Sequence, residues 1–150
     1  MNAPTVATAV RPAADAADGT PAARVALGHR ERHLRRRLLR VEGEDVLVDL
    51  ARSHRLAHGD RLVLADGREI EVEAAPEPLL ALRATGPLAH AELCWHLGNR
   101  HVEAEIAPDR VLVARDPVLR PMMEALGVAV EEVEAPFQPV RGAYHDHSHD

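Results

Sequence analysis

Gly86-Pro87-Leu88-Ala89-His90-Ala91-Glu92-Leu93-Cys94-Trp95-His96-Leu97-Gly98 is the stretch on which the fold turns. Proline is favoured at the first helical position, where its missing N–H would have no intrahelical partner. Leu88, Ala91, Cys94 and Trp95 recur at helical spacing and predict the packing face, with Gly98 closing the helix. Upstream, Leu79 to Arg83 is a short apolar run that reads as a strand. Downstream, Val102 to Ile106 and Val111 to Ala114 flank Pro108-Asp109 and read as a hairpin. Asp116-Pro117 opens a second helix with Asp116 as N-cap. Val118, Leu119, Met122, Met123 and Leu126 supply its apolar face, and Gly127 ends it. Val128 to Val133 is the last strand. The order is βαββαβ, the ferredoxin-like split βαβ arrangement, over residues 76–140.

Before this domain, Pro76-Glu77-Pro78 predicts a stiff, extended connection. Residues 23–75 predict a small β domain. Leu38 to Val41 and Val46 to Leu50 flank Glu42-Gly43-Glu44-Asp45, a tight turn, and His58-Gly59-Asp60 is another. Arg61 to Ala65 is a short apolar run, followed by Asp66-Gly67. Ile70, Val72 and Ala74 then alternate with Glu69, Glu71 and Glu73. Asp-Gly between two such runs is the strongest short hairpin signal. The fold class is therefore α+β, a small N-terminal β domain followed by a ferredoxin-like domain. Residues 1–22 hold Ala, Pro, Thr and Asp without Leu, Ile or Phe. Such a segment buries too little apolar surface to offset its ordering entropy, so a disordered extension is expected. Residues 141–150 are expected to be a flexible His-rich tail.

All 18 basic residues are Arg, and the formal net charge of −6 argues against a dedicated nucleic-acid binder. Trp95, Phe137 and Tyr144 are the only aromatics of the phenyl and indole kind. Cores built from Leu, Val, Ile and Ala alone are small, and a homodimer that buries more surface is expected. Cys94 is the sole cysteine and cannot form an intramolecular disulfide, which fits a reducing, cytoplasmic setting. No apolar run approaches the roughly 18–20 residues of a membrane span. Thr5 to Val10 is too short and mild for a secretory h-region.

The chemistry gathers in histidines. His145-Asp146-His147-Ser148-His149-Asp150 puts three imidazoles and two carboxylates on the tail, and His96 and His101 lie near the end of the first helix. Imidazole is the commonest metal ligand at neutral pH and suits nickel, zinc and copper. Alternate residues of an extended tail share one side, so His145, His147 and His149 can chelate together. Alternation with Asp and Ser speaks against an expression tag, and a solvated terminus without a role is the other bland reading. Gly98-Asn99 can take a left-handed conformation that turns His101 away from the helix packing face. An isolated surface His more often makes a local hydrogen bond, but the tail cluster favours a ligand. One imidazole cannot hold nickel or zinc firmly. A twofold dimer supplies His101 twice, with tail imidazoles completing the shell. His96 reads as structural and Cys94 as a small core hydrophobe. Arg30, Arg32, Arg35, Arg36, Arg37 and Arg40 form a basic run without interleaved aromatics. It reads as a solvated strand face or a contact for an acidic protein partner. No P-loop, GxSxG or HExxH pattern is present, so no enzyme is expected. A general zinc, copper or nickel buffer acting through the tail stays open beside a carrier that hands its ion on.

Cys94-Trp95-His96-Leu97-Gly98-Asn99-Arg100-His101, followed by Val102 and Ile106, resembles the UreE family of urease accessory nickel metallochaperones. The Asp66-Gly67 hairpin, Pro136-Phe137, Gly142-Ala143-Tyr144 and the His-rich end match the same pattern, over roughly residues 24–150. The resemblance implies a homodimeric, cytoplasmic carrier of Ni(II) for urease maturation, with Zn(II) or Cu(II) as competitors. It implies His101 as the principal ligand at the dimer interface, with His145, His147 and His149 as further ligands. It also implies an N-terminal domain that docks partners or peptides, and partnership with the GTPase UreG and the urease apoprotein complex. Some members carry a His pair where this chain has Val113-Ala114-Arg115-Asp116, so a second internal site is not expected. The short tail argues against large nickel storage.

Overall fold

The computed structural model describes residues 4–16 and 19–141. The chain divides after Ala75 into two compact units. The tail residues His145, His147 and His149 lie outside the described residues.

The first unit contains β1 (Thr5–Arg11), β2 (Ala23–Leu27), β3 (His33–Val41), β4 (Glu44–Arg55), β5 (Arg61–Leu64) and β6 (Glu69–Ala74). They form one sheet in the order β2-β6-β5-β1-β4-β3. Val41 pairs with Glu44, so only Glu42 and Gly43 turn the first hairpin, with φ of 46° and 86°. Positive φ at both central positions is the type I′ geometry that matches strand twist. The second hairpin turns at Ala65 to Arg68, where Gly67 has φ 90°. Asp66 accepts hydrogen bonds from the Arg68 backbone N–H at 3.0 Å and its Nε at 2.7 Å. The backbone N–H and then the guanidinium hold the Asp66 carboxyl below its ordinary range. Ile70, Val72 and Ala74 are buried, while the glutamates between them are only partly so.

Disorder expected over residues 1–22 is overturned at β1. Thr5 to Ala7 pair in parallel with β4, and Ala7 to Arg11 pair antiparallel with β5. Ladders on both sides order the strand, and Ala7 within it is fully buried. One member of the basic run also has a different role from a surface contact. Arg32 is buried and donates from Nε to the Leu56 carbonyl at 3.1 Å and from Nη1 to the Leu27 carbonyl at 2.8 Å. Arg35, Arg36, Arg37 and Arg40 are exposed on β3, an edge strand.

The second unit contains β7 (Pro76–Arg83), α1 (Pro87–Asn99), β8 (Glu105–Ile106), β9 (Val111–Ala114), α2 (Leu119–Ala125) and β10 (Ala129–Pro136). The sheet order is β10-β7-β9-β8, and every neighbouring pair is antiparallel. Pro76-Glu77-Pro78 is not a free connection but the start of β7, paired with Pro136 to Glu134. β7 meets β9 only from Leu79 onward, so the prolines sit where the strand has a single neighbour and their missing N–H groups are tolerated. The strand expected over Val102 to Ile106 shrinks to its last two residues. Asp116 Oδ1 accepts the Val118 N–H at 2.8 Å, so it turns the chain into α2 from two residues before the N-cap, Val118. At the far end Gly127 N–H reaches the Glu124 carbonyl and Val128 N–H the Met123 carbonyl, a Schellman closure with Gly127 at φ 79°.

Alternation along the strands sends side chains to two faces. Leu80, Leu82, Val111 and Val113 meet Leu93 and Leu97 of α1 and Leu119 and Met123 of α2. Leu79, Ala81 and Leu112 on the other face pack with Phe137. The packing face of α1 is therefore Leu93 and Leu97, with Cys94 half-buried. The expected stripe splits, because Leu88 and Trp95 are 73% and 64% exposed. At 100° per residue Leu88, Ala91 and Trp95 share one side of the helix, roughly opposite Leu93 and Leu97. Among the described residues no helix is long and apolar enough to cross a membrane.

Candidate metal centre

α1 decides where His101 stands. Its ladder runs through Asn99, and Arg100 is the C-cap. His101 N–H then bonds the Gly98 carbonyl at 3.1 Å, and Val102 N–H bonds the Leu97 carbonyl at 3.0 Å. These two bonds make a Schellman motif, whose pivot residue adopts the left-handed conformation. That pivot is His101 itself, with φ 58°. The expectation of a left-handed Gly98-Asn99 is thus corrected. Gly98 stays helical, because the hydrogen-bond pattern, not glycine content, sets the pivot. A side-chain-bearing residue in this conformation costs about 1 kcal/mol or more. Glycine is the usual occupant, so the imidazole stands here against local backbone preference.

The consequence is an exposed imidazole on a backbone fixed by both α1 and the following Val102. It lies just beyond the C-terminus of a 13-residue helix, where the unpaired carbonyls concentrate negative charge. That end of a helix favours cations. Among the described residues no group of three or more His, Cys, Asp and Glu side chains is placed to hold a metal ion. His101 therefore belongs to no such group among the described residues. A stable centre needs donors from elsewhere, and the donor chemistry fits nickel, zinc or copper.

The neighbouring candidates do not join it. His96 is half-buried on α1, edge-on to the Trp95 ring at a centroid distance of 5.2 Å and an interplanar angle of 82°. Cys94 is half-buried, and burial pushes its thiol up, which keeps it neutral rather than a thiolate donor. One contact near His101 had no signal in the sequence. After β10 the chain returns to the segment that follows His101, where Gln138 N–H bonds a Glu105 carboxylate oxygen at 2.7 Å and Val140 N–H bonds the Ala104 carbonyl at 2.8 Å.

Residues 6–75 match the family model described as UreE urease accessory protein, N-terminal domain, and residues 77–150 match UreE urease accessory protein, C-terminal domain. The match begins within β1, earlier than the resemblance read from about residue 24. Urease accessory protein UreE of Rhizobium meliloti (strain 1021) is 53% identical over 130 residues, covering 86% of this chain and 84% of that protein. The protein of the same name from Brucella anthropi is 52% identical over 146 residues, covering 96% of this chain and 86% of its own length. That of Agrobacterium fabrum is 48% identical over 147 residues, covering 95% and 91%. With both domain models matched in order and half of the residues shared with these relatives, the chain belongs to the UreE urease accessory protein family.

Proposed function

We propose that the protein is a cytoplasmic nickel metallochaperone that delivers Ni(II) to apo-urease during maturation. Ni(II) is cargo, bound by His101 from each protomer of a homodimer and by tail histidines among His145, His147 and His149. The observation that carries this reading is His101 held at the left-handed pivot beyond α1, exposed and backed by a helix C-terminus. Release to the next protein is ligand exchange, with no covalent bond made or broken, so no enzymatic step is involved. The centre would join the exposed His101 to donors from the tail, which suits an ion that must leave again.

The exposed side of α1 formed by Leu88, Ala91 and Trp95 supports a second copy as its cover. A twofold interface there repeats His101 next to itself. The strand order β10-β7-β9-β8 around two helices supports a ferredoxin-like fold for residues 76–140. Residues 23–75 belong to the partner- or peptide-docking β domain; the family name supports the urease maturation machinery as partner, and within it the reading places UreG and the urease apoprotein complex. Zn(II) and Cu(II) compete for the same imidazoles, since copper in particular binds such donors more tightly than nickel.

Nickel equilibrium dialysis with parallel mass measurement tests the reading on wild type, His101→Ala, and a chain with His145, His147 and His149 all changed to Ala. The expected result is a tightest site of one ion per dimer that disappears with His101→Ala. A tightest site that survives His101→Ala and scales with tail histidines would instead establish a general zinc, copper or nickel buffer.

A further inference from the structure

β3 has a neighbour, β4, on one side only. Val41 pairs with Glu44 across the two-residue turn, and the register continues through Leu39 with Val46 and Arg37 with Val48. Counted from such a turn, hydrogen-bonded and non-bonded positions alternate along an antiparallel pair. Val41, Leu39 and Arg37 therefore direct their N–H and C=O groups at β4, while those of Arg40, Leu38 and Arg36 point to the open edge. The same three residues lie on the outer face of the sheet, because Leu39 and Val41 alternate with them and are buried in the core. A bulge between Leu34 and Arg36 ends the regular stretch. On the outer face Val6 stands beside Leu47, and Leu47 beside Leu38. Val6 and Leu47 are half-buried, but Leu38 is 58% exposed. An apolar row thus crosses three strands and stops, uncovered, at the edge. Exposed Arg36 and Arg40 flank its end. Arg40 is paired with Asp45 at 2.9 Å, whereas among the described residues Arg35, Arg36 and Arg37 enter no ion pair.

We propose that residues 36–40 of β3 are a docking edge for an acidic segment of a partner protein, which adds to the sheet as one more strand. An apolar side chain of that segment covers Leu38, and carboxylates two residues to either side meet Arg36 and Arg40. Backbone pairing supplies affinity in strand addition, and alternate side chains supply specificity. The charge pattern selects this occupant over others. A second copy of β3 paired about Leu38 would set Arg36 of one copy against Arg40 of the other, and like charges facing across strands are unfavourable. A nucleic acid would find no Phe, Tyr or Trp on β3 to stack on, and a chain of net charge −6. Charged edges keep a sheet from pairing with its own kind; here the same guanidiniums leave it open to a strand of opposite sign. The inference rests on the docking reading of residues 23–75 and deepens it, by giving that unit a surface and its partner a chemistry.

The test titrates the full chain into a fluorescein-labelled peptide, Thr-Glu-Thr-Leu-Thr-Glu-Thr blocked at both ends, and reads anisotropy. Saturable binding that weakens with added salt is expected. Arg36→Glu weakens it about tenfold and Leu38→Thr about fivefold. Arg110→Glu, which changes the net charge equally but lies in the second unit, leaves it unchanged. An added strand turns only every second N–H toward its neighbour. N-methylation of one alternate set of peptide amides therefore abolishes binding, and methylation of the other set spares it. Binding that is indifferent to Arg36→Glu and Leu38→Thr, or that survives methylation of either set, overturns the edge while leaving peptide docking by the unit intact. Displacement of the peptide by a single-stranded oligonucleotide as readily as by unlabelled peptide overturns it in favour of a nucleic acid, and an oligomeric mass that changes with Arg36→Glu assigns the edge to a second copy. Failure of this peptide and of its lysine and serine counterparts to bind at all sinks the docking reading together with the edge.

Discussion

At the scale of single residues, His101 carries a conflict between backbone and side chain. The pivot of a Schellman closure favours glycine, while the proposed cargo needs an imidazole. His101→Gly is expected to raise thermal stability by relieving about 1 kcal/mol of strain, reduced by the extra freedom glycine gives the unfolded chain. Nickel binding is lost in the same variant. His101→Ala keeps the strain and loses the ligand, so the two variants differ in melting temperature and agree in dialysis. Equal melting temperatures would refute the strain. His54 supplies a second prediction at this scale. Burial, and then the charge of Arg52, lower its pKa against the opposing pull of Asp60. The unfolded chain therefore takes up this proton first as pH falls below about 6.5. His54's contribution is complete above that pH, declines through the window down to the lowered folded value, and levels off below it. Denaturant midpoints at pH 7.5 and 5 should differ less in His54→Gln than in wild type. The place of His101 just beyond the end of α1 was legible in the run from Trp95 to His101. Its backbone state was not, since glycine content pointed to Gly98 while the ladder continues past it.

At the scale of elements, β1 shows where composition misleads. A segment without Leu, Ile or Phe forms a strand because β4 and β5 supply the partners on both sides. Ala7 is fully buried in that strand. Ala7→Leu is expected to destabilise the first unit by about 1–3 kcal/mol through overpacking, read as a shift in urea midpoint. A neutral outcome would place slack where the fully buried methyl indicates none. The hairpins at Glu42-Gly43 and Asp66-Gly67 were readable because their chemistry is local: positive φ and an aspartate that bonds two residues on. The packing face of α1 was not, because Leu88, Ala91 and Trp95 have the same period as Leu93 and Leu97. Period alone cannot say which of two apolar sides meets the sheet.

At the scale of the whole molecule, the boundary after Ala75 was legible from the two prolines that follow, though they begin a strand instead of linking two bodies. Strand order in the first sheet could not be read, since it depends on which edges pair across long separations. The nickel reading makes one prediction that belongs to the assembly. Imidazole ligates only when neutral, and ordinary imidazole side chains titrate near about 6.5. Nickel affinity should fall steeply between pH 7.5 and 5.5, more steeply when several histidines share the ion than when one does. An affinity constant across that range would contradict imidazole ligation altogether.

Trp95 is the only tryptophan in the chain and stands on the uncovered side of α1. The protein thus carries its own optical reporter at the place where a second copy is proposed to dock. Indole emission from a solvated Trp95 lies at long wavelength and shifts to the blue when water is excluded. Dilution of the protein should move the emission maximum to the red if copies separate there. A maximum that stays red at every concentration would leave that helix face bare and send the search for the dimer contact elsewhere.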